Sequence, residues 1–196
     1  MSIILDGTNG IVTPDIDSGV STLGPLTQAL NLGSTGQIVF PATQNASSNA
    51  NTLDDYEEGT WTPSYAGVEG GSLSGVSYSG RSGFYTKVGN TVTVSCELAT
   101  INASGITGSG LVGITGLPFA VANVNSGGRN TLVLTHDNRW INNPSFGQVQ
   151  GAATTIKMFK TNSMNIASAI TAADFNKTDL GNHNIATVMF TYIAEA

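Results

Sequence analysis

The sequence predicts an all-β protein: a jelly-roll-like antiparallel β-sandwich over residues 61–196, preceded by an extended N-terminal segment over residues 1–50 and an acidic connector turn over residues 51–60. Three observations predict it. TVTVSCEL at 91–98 alternates strictly, with Val92, Val94, Cys96 and Leu98 on one face and Thr91, Thr93, Ser95 and Glu97 on the other. FYTKV at 84–88 stands before it, and the intervening Gly89-Asn90 suits a two-residue hairpin turn because both residues tolerate positive φ. Short apolar runs then recur between Gly, Asn, Ser and Pro, the pattern of many antiparallel strands.

In residues 1–50, brief apolar groups (Ile3 to Leu5, Ile11 and Val12, Ile38 to Phe40) alternate with turn pairs such as Asp6-Gly7, Asn9-Gly10 and Gly24-Pro25. No helical period is sustained. So thin a segment buries too little apolar area to offset the ~1–2 kcal/mol of backbone entropy lost per ordered residue. Its order is expected to come from copies of itself or a larger assembly, with Ile3, Leu5, Ile11, Ile38 and Phe40 as contact residues. ATQNASSNANT at 42–52 is small and polar, the composition of a linker.

The acidic stretch NTLDDYEEGTW follows, at 51–61. Thr52 and Asp55 have N-cap and N3 spacing, which places Asp54 and Asp55 in a first helical turn closed by Gly59. Glu57 and Glu58 would then sit at the wrong end of the dipole and call for cations, Arg81 or Arg129 of the same or a neighbouring chain. A calcium site is the rival reading, although the run lacks the Asp-x-Asp-x-Asp-Gly spacing of a calcium loop.

Beyond Trp61, strands are expected at 84–88, 91–98, 111–115, 120–124, 131–136, 145–149, 154–159, 166–170 and 185–194. Thr171 and Asp174 have capping-box spacing, so one short helical turn is expected at 171–175. The last strand, IATVMFTYIA, is apolar on both faces: Ile185, Met189 and Ile193 on one, Val188, Phe190 and Tyr192 on the other. Such a strand lies centrally in a sheet or in an interface between subunits.

Charge narrows the function classes. Only 10% of the 196 residues are charged, against about 25% in an average domain. Residues 1–80 carry eight acids and no base, whereas residues 81–196 hold all seven bases and five acids. Nucleic-acid binding needs clustered Lys and Arg to displace counterions, and this acidic chain lacks them. The opening MSIILDGTNG has no basic region and a three-residue apolar run, unlike a secretory signal, and the apolar stretch at 185–194 is too short to cross a bilayer as a helix. Cys96 is the sole cysteine and is expected to pack as a small apolar residue.

Catalytic chemistry finds little support. His136 and His183 are the only histidines, both in polar contexts, and no Gly-x-Ser-x-Gly elbow occurs. Gly108 to Gly113 fits G-x-G-x-x-G, but Gly116 and Pro118 forbid the helix that a nucleotide site needs. The Asp54 to Glu58 carboxylates sit on a connector and not on a rigid groove floor, which argues against glycoside hydrolysis. The expectation is a non-enzymatic protein with no cofactor and no metal. The sequons at Asn45, Asn102 and Asn176 are expected by chance in so Asn-, Ser- and Thr-rich a chain. Tyr65, Tyr78 and Trp140 stand in loop-like contexts, and exposed rings stack on sugars; Tyr78, Arg139 and Trp140 are therefore a candidate receptor surface.

IVFPATQNASSNANTLDDYEEGTWTP, followed by YTKVGNTVTV and ITGLPF, resembles a module of bacteriophage tail-fibre and other virion proteins, marine and cyanobacterial phages among them; LDGTNGIVTPDI resembles the openings of phage fibre chains. The likeness covers most of residues 3–119. It implies a homotrimeric, non-enzymatic virion protein with an N-terminal attachment segment, partnered by tail, baseplate or capsid proteins and facing a host surface glycan, with no membrane insertion. A short fibre, a fibre tip and a head decoration all fit, because the long repetitive shaft of many fibres is missing. In that frame Glu57, Glu58 and Arg81 join the candidate oligomer interface.

Overall fold

The computed structural model describes residues 36, 38–40, 42, 43, 49, 51–53, 55–123, 130–136, 140–161, 167–177 and 184–195. The chain divides into two compact units, Met1–Val39 and Phe40–Ala196. The strands described below all belong to the second.

The predicted hairpin is the centre of the architecture. Strands β4 (Tyr78–Val88) and β5 (Thr91–Thr100) pair antiparallel with Val88 opposite Thr91, and Gly89 turns the chain at φ 56°. Around them stand β1 (Tyr56–Trp61), β2 (Ser64–Gly67), β3 (Ser72–Ser74), β6 (Thr107–Ser109), β7 (Val112–Thr115), β8 (Asn130–His136), β9 (Phe146–Val149), β10 (Thr155–Thr161), β11 (Ala167–Ala169) and β12 (Ile185–Ile193). The order β1-β4-β5-β12-β8-β9-β10-β7-β2 forms one antiparallel sheet, with β11 added on β10 and β3-β6 as a separate ribbon. The class is all-β, a curled antiparallel sheet of sandwich type.

Strand β8 is where the sheet changes layer: Asn130 to Val133 pair with β9, while Leu134 to His136 pair with β12. The core lies between the two layers. Val92, Val94, Cys96 and Leu98 are buried from one side, as the alternation predicts, and Val112, Ile114, Val149, Ile156 and Met158 from the other. Trp61 closes one end; its ring lies so close to Gly83 that a β-carbon there would stand 2.4 Å from the indole nitrogen. The last strand is central, hydrogen-bonded to β5 and β8. Its two faces differ, with Ala186, Val188 and Tyr192 buried and Met189 74% exposed.

The capping box forms at 171–174, around a single 3-10 turn, Ala172–Asp174. Two expectations need correction. Residues 120–124 do not make a strand: Val121 forms one isolated bridge to Ala194, and Val124 lies outside the described residues. Among the described residues the acidic stretch makes no helical turn, because residues 56–61 pair along their whole length with β4. A six-residue ladder with Trp61 buried at its end outweighs the modest stabilisation that one capped turn offers.

Candidate functional site

The acids of NTLDDYEEGTW are spread along and just before an edge strand, and the strand period sends them to different places. Asp55 and Glu57 lie in the same row, with Glu57 opposite Lys87, but only Asp55 is buried and Glu57 stays exposed. Asp55 is buried and forms an ion pair with Lys87 whose two side chains are each 7% exposed, and its carbonyl accepts the Gly89 N–H at 2.9 Å. Glu57 accepts the Tyr85 hydroxyl. That hydrogen bond, with some help from burial and the nearby charge, pushes the Tyr85 phenol up to about 12. The Phe119 ring touches one partner of each contact: it meets Tyr85 edge-on at 5.4 Å, and the Lys87 ammonium lies 5.5 Å from its centroid.

Glu58 faces outward and accepts the Tyr56 hydroxyl at 2.9 Å, which raises the Tyr56 pKa. Within one chain, then, Glu57 and Glu58 are held by tyrosine hydroxyls where cations were expected. The Arg81 guanidinium is engaged elsewhere: it donates to Ser64 Oγ at 2.7 Å and lies 4.8 Å from the Tyr78 ring centroid. Upstream, Asn49 turns the chain by accepting the Thr52 N–H at its carbonyl and the Asn51 N–H at its side chain. Ile38 is 64% exposed, and the Phe40 ring packs on Tyr56 at 6.2 Å. Ile3, Leu5, Ile11, Asp54, Arg129, Arg139 and His183 lie outside the described residues.

The proposed receptor aromatics are not a surface platform. Trp140 is only 5% exposed; it donates its indole N–H to the Ile185 carbonyl at 3.0 Å and packs 4.6 Å from Phe175. Tyr65 is buried against both of them. Tyr78 is half-buried in β4; it stacks on Tyr65 and accepts the Tyr65 N–H at its hydroxyl. Asn and Pro around Trp140 mark a loop, but a loop whose indole has an apolar cluster and a carbonyl within reach folds inward. His136 is half-buried in β8, opposite Ala186.

A polar site that sequence reasoning placed only as a cap lies beside that cluster. Asp174 accepts Lys160, Asn142 Nδ2 at 2.7 Å, the Thr171 N–H at 2.8 Å and the Thr171 hydroxyl at 3.0 Å. Burial alone would push its carboxyl up, but the Lys160, Thr171 and Asn142 hydrogen bonds outweigh it and hold the pKa below the usual range. Beyond them opens a shallow cleft lined by Ile141 and by the polar Asn142, Asn143, Ser145, Lys160, Thr161 and Ser168. The capping-box spacing of Thr171 and Asp174 was the one sequence signal for this hub.

Among the described residues, no three His, Cys, Asp or Glu side chains are grouped so as to hold a metal. Burial pushes the Cys96 thiol up to about 12, against a weaker backbone hydrogen bond, so it is no thiolate nucleophile at neutral pH. The G-x-G-x-x-G run passes through β6 into strand β7 and not into a helix. No protein-family model matches this chain, and no curated protein does.

Proposed function

We propose that the chain is a non-enzymatic structural protein of a bacteriophage virion, a homotrimeric short fibre or fibre tip. Residues 1–50 dock it on the particle, and its jelly-roll-like sandwich faces the host. One observation carries the reading. The three segments whose sequence resembles phage virion modules lie far apart in the chain and meet at one cluster, where Asp55 and Glu57 bind Lys87 and Tyr85 under the ring of Phe119. Their odd composition is thus accounted for by a single packing unit, as expected of a module inherited whole and not of three chance likenesses.

Gold-labelled antibody to the sandwich, applied to purified particles from a lysate of the host that carries this gene, tests the proposal. Label at a tail or fibre tip is expected. Label on the head selects the decoration or head-fibre variant, and particles free of the chain refute the virion role.

A second reading, carbohydrate binding, is favoured by the cleft beside Asp174. Beside the exposed Ile141, amide and hydroxyl groups from Asn142, Asn143, Ser145, Thr161 and Ser168, with one ammonium, suit a polyhydroxylated ligand. Binding on a glycan array that vanishes in Asn143→Ala would support it; binding indifferent to that substitution would remove the cleft from consideration.

A further inference from the structure

Trp140 and Pro144 are buried, and the three residues between them are left exposed at the cleft beside Asp174. The segment is pinned at three points. The Trp140 indole N–H meets the Ile185 carbonyl at 3.0 Å, the Ile141 N–H meets the Asp174 carbonyl at 2.9 Å, and the Ser145 N–H meets the Phe159 carbonyl at 2.7 Å. Ile141 therefore stands 58% exposed on a fixed turn, unable to exchange places with the Trp140 ring. Ser168 lies opposite Lys160 across the β10-β11 pair, and Ser145 accepts the Thr161 N–H at 3.2 Å.

The lining groups differ in how much bonding capacity they have left. Asn142 Nδ2 donates to Asp174, and Ser145 Oγ lies 3.2 Å from Thr161 Oγ1. Asn143 is exposed, and its side-chain amide is bonded to nothing among the described residues. It presents a free donor and a free acceptor in the cleft that Ile141 also lines. Lys160 is the only charged residue among the described ones that line the cleft, and the buried Asp174, kept ionised at neutral pH by its hydrogen bonds, cancels that charge. An anionic ligand thus finds no unspent cation among them.

We infer that the cleft binds the acetamido group of an N-acetylated amino sugar, with the acetyl methyl on Ile141 and the acetamido N–H and C=O exchanging hydrogen bonds with the Asn143 amide. Ring hydroxyls are left to Ser168, Thr161 and the remaining N–H groups of Lys160. The inference rests on the carbohydrate reading of this cleft and narrows it to one sugar class. A plain hexose offers hydroxyls to Asn143 but nothing to Ile141. A uronate adds a charge that must be desolvated without a free partner. The cleft volume, about 390 Å³, falls in the ~300–1,000 Å³ range of small-ligand sites.

Four sugar trimers test it against the full chain by calorimetric titration: the β-1,4-linked trimers of N-acetylglucosamine, of glucose and of glucosamine, and trigalacturonate. Ile141→Ser, Asn143→Ala and a control, Ser74→Ala on the exposed β3-β6 ribbon, are titrated alongside. Saturation-transfer difference NMR on the unmodified chain reads which ligand protons touch protein, and it decides should a variant fail to fold. The acetylated trimer is expected to bind at least ~10-fold tighter than the glucose trimer, with its acetyl methyl the most strongly saturated group. Ile141→Ser should erase that preference and keep weak binding, Asn143→Ala should abolish binding, and the control should match the unmodified chain. Equal affinity for the acetylated and glucose trimers, or a preference that Ile141→Ser leaves intact, overturns the acetamido contact while the carbohydrate reading stands. Tightest binding of trigalacturonate or of the glucosamine trimer overturns it as well, by showing that charge governs the cleft. Binding that survives both variants lies elsewhere on the chain and removes the cleft, and binding of none of the four overturns the carbohydrate reading too.

Discussion

Replacing Lys87 with Met is expected to be among the most damaging single changes in the sandwich. The substitution keeps much of the side chain's volume and leaves the Asp55 carboxylate, itself 5% exposed, without its cation. Breaking a buried pair from one side typically costs ~3–5 kcal/mol, because the orphaned charge must be protonated or dragged toward water. With a urea m value near 2 kcal/mol/M, the unfolding midpoint should fall by about 1.5–2.5 M. Removing both partners tells a different story. In Asp55→Leu with Lys87→Met no charge is left to desolvate, so the double variant should recover most of the loss, and the cycle should give a coupling of ~2 kcal/mol or more. Equilibrium urea unfolding followed by tryptophan fluorescence measures all four corners, with Trp61 at the end of the same strand as reporter. A Lys87→Met shift below about 1 kcal/mol, or a double variant as unstable as the sum of the singles, would refute the view that this pair is what pins the acidic edge strand.

Other outcomes follow from the same contacts. Gly83→Ala drives a methyl against the Trp61 indole and should lower stability by ~1–3 kcal/mol, seen as a lower thermal midpoint with altered tryptophan emission. Tyr85 and Tyr192 both ionise at about 12, Tyr85 chiefly through Glu57 and Tyr192 through burial, so the stability they lend is complete below pH 10 and lost as pH rises toward 12. Ultraviolet titration of Glu57→Gln should return one phenol toward 10 and leave the other. Asp174 has a lowered folded pKa, so its contribution is present above the ordinary aspartate range near pH ~4 and disappears as pH falls below it. Asp174→Asn should therefore flatten the acid limb of the stability profile measured by urea midpoints between neutral pH and pH 3.

Much of the fold was legible because alternation is a local signal with a physical cause. Every second residue of 91–98 meets the core, so the sequence had to alternate there, and the hairpin at Gly89-Asn90 needed only its own backbone freedom. The short β3 and β6 were not legible: Ser72–Ser74 and Thr107–Ser109 are mostly small and polar, and they pair through backbone and hydroxyl contacts alone. The acidic stretch misled because its capping spacing is local while its pairing with β4 is not. Trp140 misled in the same way, its neighbours marking a loop and its ring finding a core that no neighbouring residue announces.

By itself the sequence determined the class: period-two alternation, turn pairs and scarce charge leave little choice but an antiparallel β protein with a sparsely charged surface. Tertiary structure alone decided which strand lies beside which, and with that the meeting of Asp55, Lys87 and Phe119. The reason is that strand pairing is long-range. A residue's face is written in its own neighbourhood, but its neighbour across the sheet is fixed only when distant segments close on a common core.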